Sequence, residues 1–169
     1  MTEDLGALRA ALGFTAGDLQ ANRQGLLSRA QAARLKRSRL RNTLLATGIF
    51  SLLALAATAL IYLGQLNRNM ILTSAGAGLV LLNAIVIGGA GRAYIGVSQD
   101  LRANRAEALT GAVERVLRRG RAGDSYLLRV GGVELNVNRD IFVVFEHKAA
   151  YHIYRTSFSR QLLSAEPAV

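Results

Sequence analysis

Apolar positions in this chain follow two patterns: unbroken runs in the middle, and short alternating stretches towards the C-terminal end. Residues 43–63 are 21 positions without a charge, and residues 70–91 are another 22. A membrane-spanning helix needs about 20. The first run contains ten Leu, Ile or Phe residues, each favouring insertion by roughly 0.3 to 0.6 kcal/mol near a helix centre. The second has nine Leu, Ile or Val residues, diluted by Gly76, Gly78, Gly88, Gly89, Gly91 and Asn83. A buried hairpin in a soluble protein would need more amphipathic sequence around it than the chain offers. The pattern therefore predicts a two-helix transmembrane hairpin over residues 43–91, with spans 43–63 and 70–91.

Residues 1–42 read as a cytoplasmic helical segment. Thr15-Ala16-Gly17-Asp18 resembles a capping box, Gly25 is a stop, and Ser28-Arg29-Ala30-Gln31 is a second box. No breaker follows before Asn42, so one rod is expected over residues 29–63. Residues 92–105 form a helical linker with Tyr94 at the interface. Asp18-Leu19-Gln20-Ala21-Asn22-Arg23 is matched by Asp100-Leu101-Arg102-Ala103-Asn104-Arg105, but no fixed period follows, so no internal repeat is inferred.

From residue 106 the period becomes two. Tyr126, Leu128 and Val130 alternate with Leu127 and Arg129; Val133, Leu135 and Val137 alternate with Glu134 and Asn136. Gly131-Gly132 between them is a two-residue hairpin signal, because glycine accepts positive φ. Residues 151–156 and 161–165 read as a second hairpin, 109–117 as one longer strand, and 141–145 as a short helix opened by Asp140. Five strands in about sixty residues would leave costly edges unless they closed up. The fold class expected is therefore an α+β membrane protein: a transmembrane hairpin followed by a small five-stranded OB- or SH3-like barrel over residues 106–169.

Charge sets the orientation. Arg29, Arg34, Lys36, Arg37, Arg39 and Arg41 precede the first span, only Arg68 lies between the spans, and Arg92, Arg102 and Arg105 follow the second. Positive residues stay in the cytoplasm, so both termini are expected there, in a multi-pass protein of the inner membrane. The net charge of +10 and pI near 11.2 would suggest nucleic acid in a soluble protein, and Arg118, Arg119 and Arg121 form a small basic cluster. Attraction of juxtamembrane cations to anionic headgroups, about 1 kcal/mol each, explains the balance without nucleic acid. Arg34, Lys36, Arg37, Arg39 and Arg41 are the candidate headgroup contacts. The run begins too late and is too long for a cleaved signal peptide, and the absence of cysteine rules out disulfides and thiolate metal sites.

Two stretches carry a resemblance. Asn22-Arg23-Gln24-Gly25 before Ser28, with Tyr151-His152-Ile153-Tyr154 and Leu162-Leu163-Ser164-Ala165-Glu166, resemble uncharacterised bacterial proteins that join a two-helix membrane hairpin to a C-terminal small β domain. The resemblance covers most of the chain and implies no activity.

Candidate chemistry is sparse. His147 and His152 lack a third ligand nearby, Gly88-Gly89-Ala90-Gly91 ends an apolar run without a preceding strand and is no phosphate loop, and the carboxylates of the β region are scattered singly. No enzyme activity, metal or cofactor is expected. Tyr151, Tyr154, Arg155, Phe158 and Arg160 form the candidate partner-binding surface, since aromatics and Arg are enriched in interfaces. Small residues four apart, Ala54 with Thr58, Ser74 with Gly78 and Ala84 with Gly88, allow close helix packing, and Asn83 is the intramembrane polar residue. The function expected is a membrane-anchored binding or scaffold module whose partners are anionic lipid and another protein or a second copy. The alternative is an oligomeric pore-forming or transport-associated subunit.

Overall fold

A computed structural model describes residues 2–120 and 123–168, with side chains from Leu5 onward. The chain forms two compact units: the described residues up to Ala33 together with those from Asp100 onward, and residues 34–99.

The first unit opens with two short helices. In α1 (Thr2–Leu12) the leucines at 5, 8 and 12 recur at helical spacing, and Leu8 is wholly buried in the core that Leu5 and Leu12 flank. Helix α2 (Ala16–Arg23) begins with the expected capping box, Asp18 N–H donating to Thr15 Oγ1 at 3.2 Å and Thr15 N–H to Asp18 Oδ2 at 2.9 Å. The second box starts α3 (Arg29–Leu66), with Gln31 N–H to Ser28 Oγ and Ser28 N–H to Gln31 Oε1, both at 3.0 Å. Such reciprocal bonds satisfy donors that a helix start otherwise leaves free. Helix α4 (Met70–Ala103) is likewise continuous.

The β segment differs from the expected five-stranded barrel. Among the described residues six strands form two separate three-stranded antiparallel sheets. Strands β1 (Ala106–Ala112), β5 (Ala150–Thr156) and β6 (Leu162–Pro167) lie in the order β1-β5-β6; strands β2 (Glu114–Gly120), β3 (Gly123–Val130) and β4 (Val133–Val137) lie in the order β2-β3-β4. The single strand expected over 109–117 breaks at Val113. Its side chain is fully buried, its N–H donates to Ala149 O and its carbonyl accepts from Lys148 N–H. There the chain stops pairing with β5 and starts pairing with β3. The expected hairpins are present: Gly131 and Gly132 take φ of 55° and 80° between Val130 and Val133, a turn open to glycine and closed to β-branched residues. Helix α5 (Arg139–Val144) is capped by Asn138, which accepts from Ile141 N–H at 2.8 Å. Phe145 packs edge-on against Tyr151 with centroids 5.0 Å apart, and Tyr126 against Phe142 at 5.1 Å. Burying the Phe145 ring, which is wholly covered, contributes roughly 2–3 kcal/mol.

In the second unit α3 and α4 run as a hairpin that approaches closely at Gly64 and Gly76. A Cβ added at Gly76 would sit 2.6 Å from Ile61 Cγ1 and 3.0 Å from Ala57 O; one at Gly64 would meet Thr73 N at 2.6 Å. The small pairs singled out by spacing lie elsewhere: Thr58 is exposed, and Gly78 and Gly88 face open space. The most apolar windows of the two helices have mean hydropathies of 2.3 and 2.1, yet only 6% and 11% of them are buried. A core helix would be mostly covered, whereas Leu52, Leu55, Leu81 and Ile85 are each about 70% exposed. At about 1.5 Å per residue, both helices exceed the roughly 30 Å hydrocarbon thickness. They are long and apolar enough to cross a membrane.

Candidate functional site

Residues 22–31 and 154–166, far apart in sequence, close on one another inside the first unit. Asn22 is 1% exposed and Gln31 2%. Their side-chain amides exchange bonds of 2.9 and 2.8 Å, Asn22 Nδ2 also donates to Leu26 O at 2.9 Å, and Ser164 Oγ donates to Asn22 Oδ1 at 2.7 Å. One residue later Arg23 forks onto Glu166, with Nε donating to Oε1 at 2.9 Å and Nη2 paired with Oε2. Tyr154 Oη donates to Glu166 Oε1 at 3.0 Å. The Arg23 guanidinium holds the Glu166 carboxyl below the usual carboxylate range, and the Tyr154 hydroxyl adds in the same direction. Burial pushes the Tyr154 phenol up, helped by its bond to Glu166.

A second clamp uses Asp100, in the last turn of α4 and 1% exposed. Its Oδ1 and Oδ2 accept from Phe158 N–H and Ser159 N–H, each at 2.8 Å, which ties down the β5–β6 turn. The segment preceding α3 is joined to the start of β1 by Ala106 N–H to Gly25 O at 2.9 Å and a bridge between Leu26 and Arg105. The last turn of α4 is thus bonded to the β5–β6 hairpin directly, and the first turn of α3 is linked to it through Asn22.

The proposed aromatic surface is corrected by burial. Tyr151, Tyr154 and Arg155 are 4%, 6% and 8% exposed, so they form the core and its margin. Strand β5 is the middle strand of its sheet: Tyr151 packs on Phe145 and accepts from Glu146 N–H, while Tyr154, at the opposite parity, meets Glu166 beside α2. Arg155 pairs with Glu107 at 3.0 Å. Only Phe158, 52% exposed, and Arg160 remain at the surface. Lys36, Arg37 and Arg41 are exposed on α3, as is Arg34. Arg39 is half-buried, donating to Ser98 Oγ at 3.0 Å and lying 5.1 Å from the Tyr94 ring centroid. Asn83 is buried and donates from Nδ2 to Phe50 O at 3.2 Å, an interhelical bond.

The histidines serve different elements, His147 Nδ1 accepting from Arg115 N–H at 3.1 Å and His152 Nδ1 bonding Thr110 Oγ1 at 2.8 Å. Among the described residues no three His, Cys, Asp or Glu side chains gather into a metal-binding group. On the second sheet Arg129 lies between Glu134 at 2.7 Å and Glu114 at 3.6 Å, and Arg118 is 3.7 Å from Glu134. Arg118 and Arg119 are exposed; Arg121 lies outside the described residues. Comparison with protein-family models, with curated proteins and with solved structures finds no match.

Sequence reading missed α1, Asp100 and the pairing of residues 22–23 with 164–166. The leucine spacing of α1 was the available signal. The two similar hexapeptides have separate roles: Asp18 caps the start of α2 and Asp100 holds a distant turn.

Proposed function

We propose that the chain is a membrane-anchored scaffold: the α3–α4 hairpin crosses the bilayer twice, and the unit built from both of its flanks faces the cytoplasm and receives a protein partner. One observation carries this reading. The segments before and after the hairpin fold into each other, through Asn22 with Ser164 and Arg23 with Glu166. A hairpin whose flanks share one core must return to the side it left. The six, one and three basic residues before, between and after the spans independently favour the cytoplasmic side. Exposed Leu and Ile around both helices support insertion, because such a surface in water would be a large association-prone patch. The pore reading has less support, since Asn83 is bonded across the hairpin to Phe50 O. In cells the full chain should stay with the membrane pellet through alkaline carbonate washing. Release into the supernatant would refute insertion.

A further inference from the structure

Sheet edges expose unpaired backbone groups, and proteins cover or blunt them. In the first unit, α1 and α2 pack against β6. The start of β1 is bonded by Gly25, and Thr110 O near its other end lies 3.9 Å from where a Cβ on Gly131 would be. On the second sheet the margins are β4, five residues long, and the longer β2. It has seven residues at the margin of its sheet, and from Leu117 to Gly120 every residue is exposed.

The outward groups of β2 follow from the ladder. Val130 and Val133 flank the two-residue Gly131-Gly132 turn and form a hydrogen-bonded pair, so the even-numbered residues of β3 bond β4 and the odd-numbered ones bond β2. In the β2–β3 register Leu117 lies opposite Tyr126 and Arg119 opposite Asp124, so the amides and carbonyls of Arg115, Leu117 and Arg119 point away from the sheet. Arg115 N–H does so, donating to His147. Beyond it, among the described residues, nothing bonds to the outer edge.

We propose that the free edge of β2 takes an extended, acidic segment of a partner protein as an added strand. The proposal names the partner of the scaffold reading and rests on it. Backbone pairing at Leu117 and Arg119 supplies the contact, and alternate side chains supply selectivity. Charge decides the occupant. The strand Glu114-Arg115-Val116-Leu117-Arg118-Arg119-Gly120 carries three arginines and one glutamate; Glu114 lies 3.6 Å from Arg129 and Arg118 3.7 Å from Glu134, Arg115 donates to Phe145 O, and Arg119 is exposed. A second copy is opposed by the same charges. Antiparallel pairing centred on Leu117 sets Arg119 against Arg115 of the other copy, and pairing centred on Arg118 sets that residue against itself. Like charges directly opposite are destabilising. Leu117, 42% exposed, offers an apolar contact between the arginines.

The test uses the full chain in detergent micelles, titrated with a synthetic eight-residue peptide alternating Glu with Val, and with its Lys-Val counterpart. The Glu peptide should bind, more weakly as salt rises, and should slow hydrogen exchange at Leu117 and Arg119; the Lys peptide should not. Leu117→Pro removes an outward N–H but no bond to β3, and should weaken binding about fivefold. Arg118→Glu with Arg119→Glu should reverse the peptide preference. Failure of the Glu peptide to bind, equal binding by the proline variant, protection elsewhere in the chain, or a β2-to-β2 dimer would each overturn the proposal. Because micelles remove topology from the measurement, failure here leaves membrane insertion standing, and release by carbonate with the peptide still bound strikes the scaffold reading alone.

Discussion

Ser164 Oγ donates a 2.7 Å hydrogen bond to Asn22 Oδ1 across 142 positions, joining the segment before the hairpin to the last strand after it. Asn22 also holds Gln31, the N3 residue of the box that starts α3. The bond therefore links where the first long helix begins to where the β segment ends.

Asn22→Ala should be strongly destabilising, because it strands the buried Nε2 donor of Gln31 and the hydroxyl of Ser164. A cost of about 3 kcal/mol is expected, against about 1 kcal/mol for Ser164→Ala. Thermal unfolding of the detergent-solubilised chain measures both, and equal, small losses would show that the network does not couple the segments.

The Glu166 carboxyl gives an acid limb to stability. Its folded pKa is lowered chiefly by Arg23, so its contribution is full above the ordinary Glu pKa of about 4.3 and is lost as pH falls through the lower folded value. Glu166→Gln should reduce the melting temperature at neutral pH and flatten its fall on acidification. A variant that keeps the wild-type acid slope would contradict this assignment.

Helix approach in the hairpin depends on Gly76 and not on Gly78. Gly76→Ala places a methyl 2.6 Å from Ile61 Cγ1 and 3.0 Å from Ala57 O, whereas Gly78→Ala meets nothing within 4 Å. The first should lower the melting temperature and the second should leave it unchanged. The reverse order would mean that the outward face is the packed one.

Asp100→Ala should free the β5–β6 turn, since the carboxylate alone receives both turn amides at 2.8 Å. Hydrogen exchange at Phe158 and Ser159 should accelerate by about tenfold or more, while the amides of β3 and β4 keep their rates.

What was legible in the sequence was local. Long charge-free runs gave the helices of the second unit, and Gly131-Gly132 between alternating segments gave one hairpin, because turn chemistry and periodicity act over a few residues. The rest depends on pairing at a distance. Nothing near Val113 says that its strand will exchange β5 for β3, and so a sixth strand and two open sheets replaced the barrel. Alternation likewise says that Tyr151 and Tyr154 occupy opposite faces of β5 but not that both faces are covered, so residues read as a surface turned out to be core. The Asn22 and Ser164 segments are legible as motifs, but their contact exists only in the folded chain.

The central claim, that one unit is assembled from both flanks on a single side of a membrane, is tested most directly by thiol labelling. The chain has no cysteine, so a single Cys can be placed at Ala7, Gln65 or Ser125, all exposed positions. With a membrane-impermeant maleimide, Ala7→Cys and Ser125→Cys should react only in inverted vesicles, and Gln65→Cys only in right-side-out ones. Labelling of Ala7→Cys and Ser125→Cys from opposite sides would contradict the account outright.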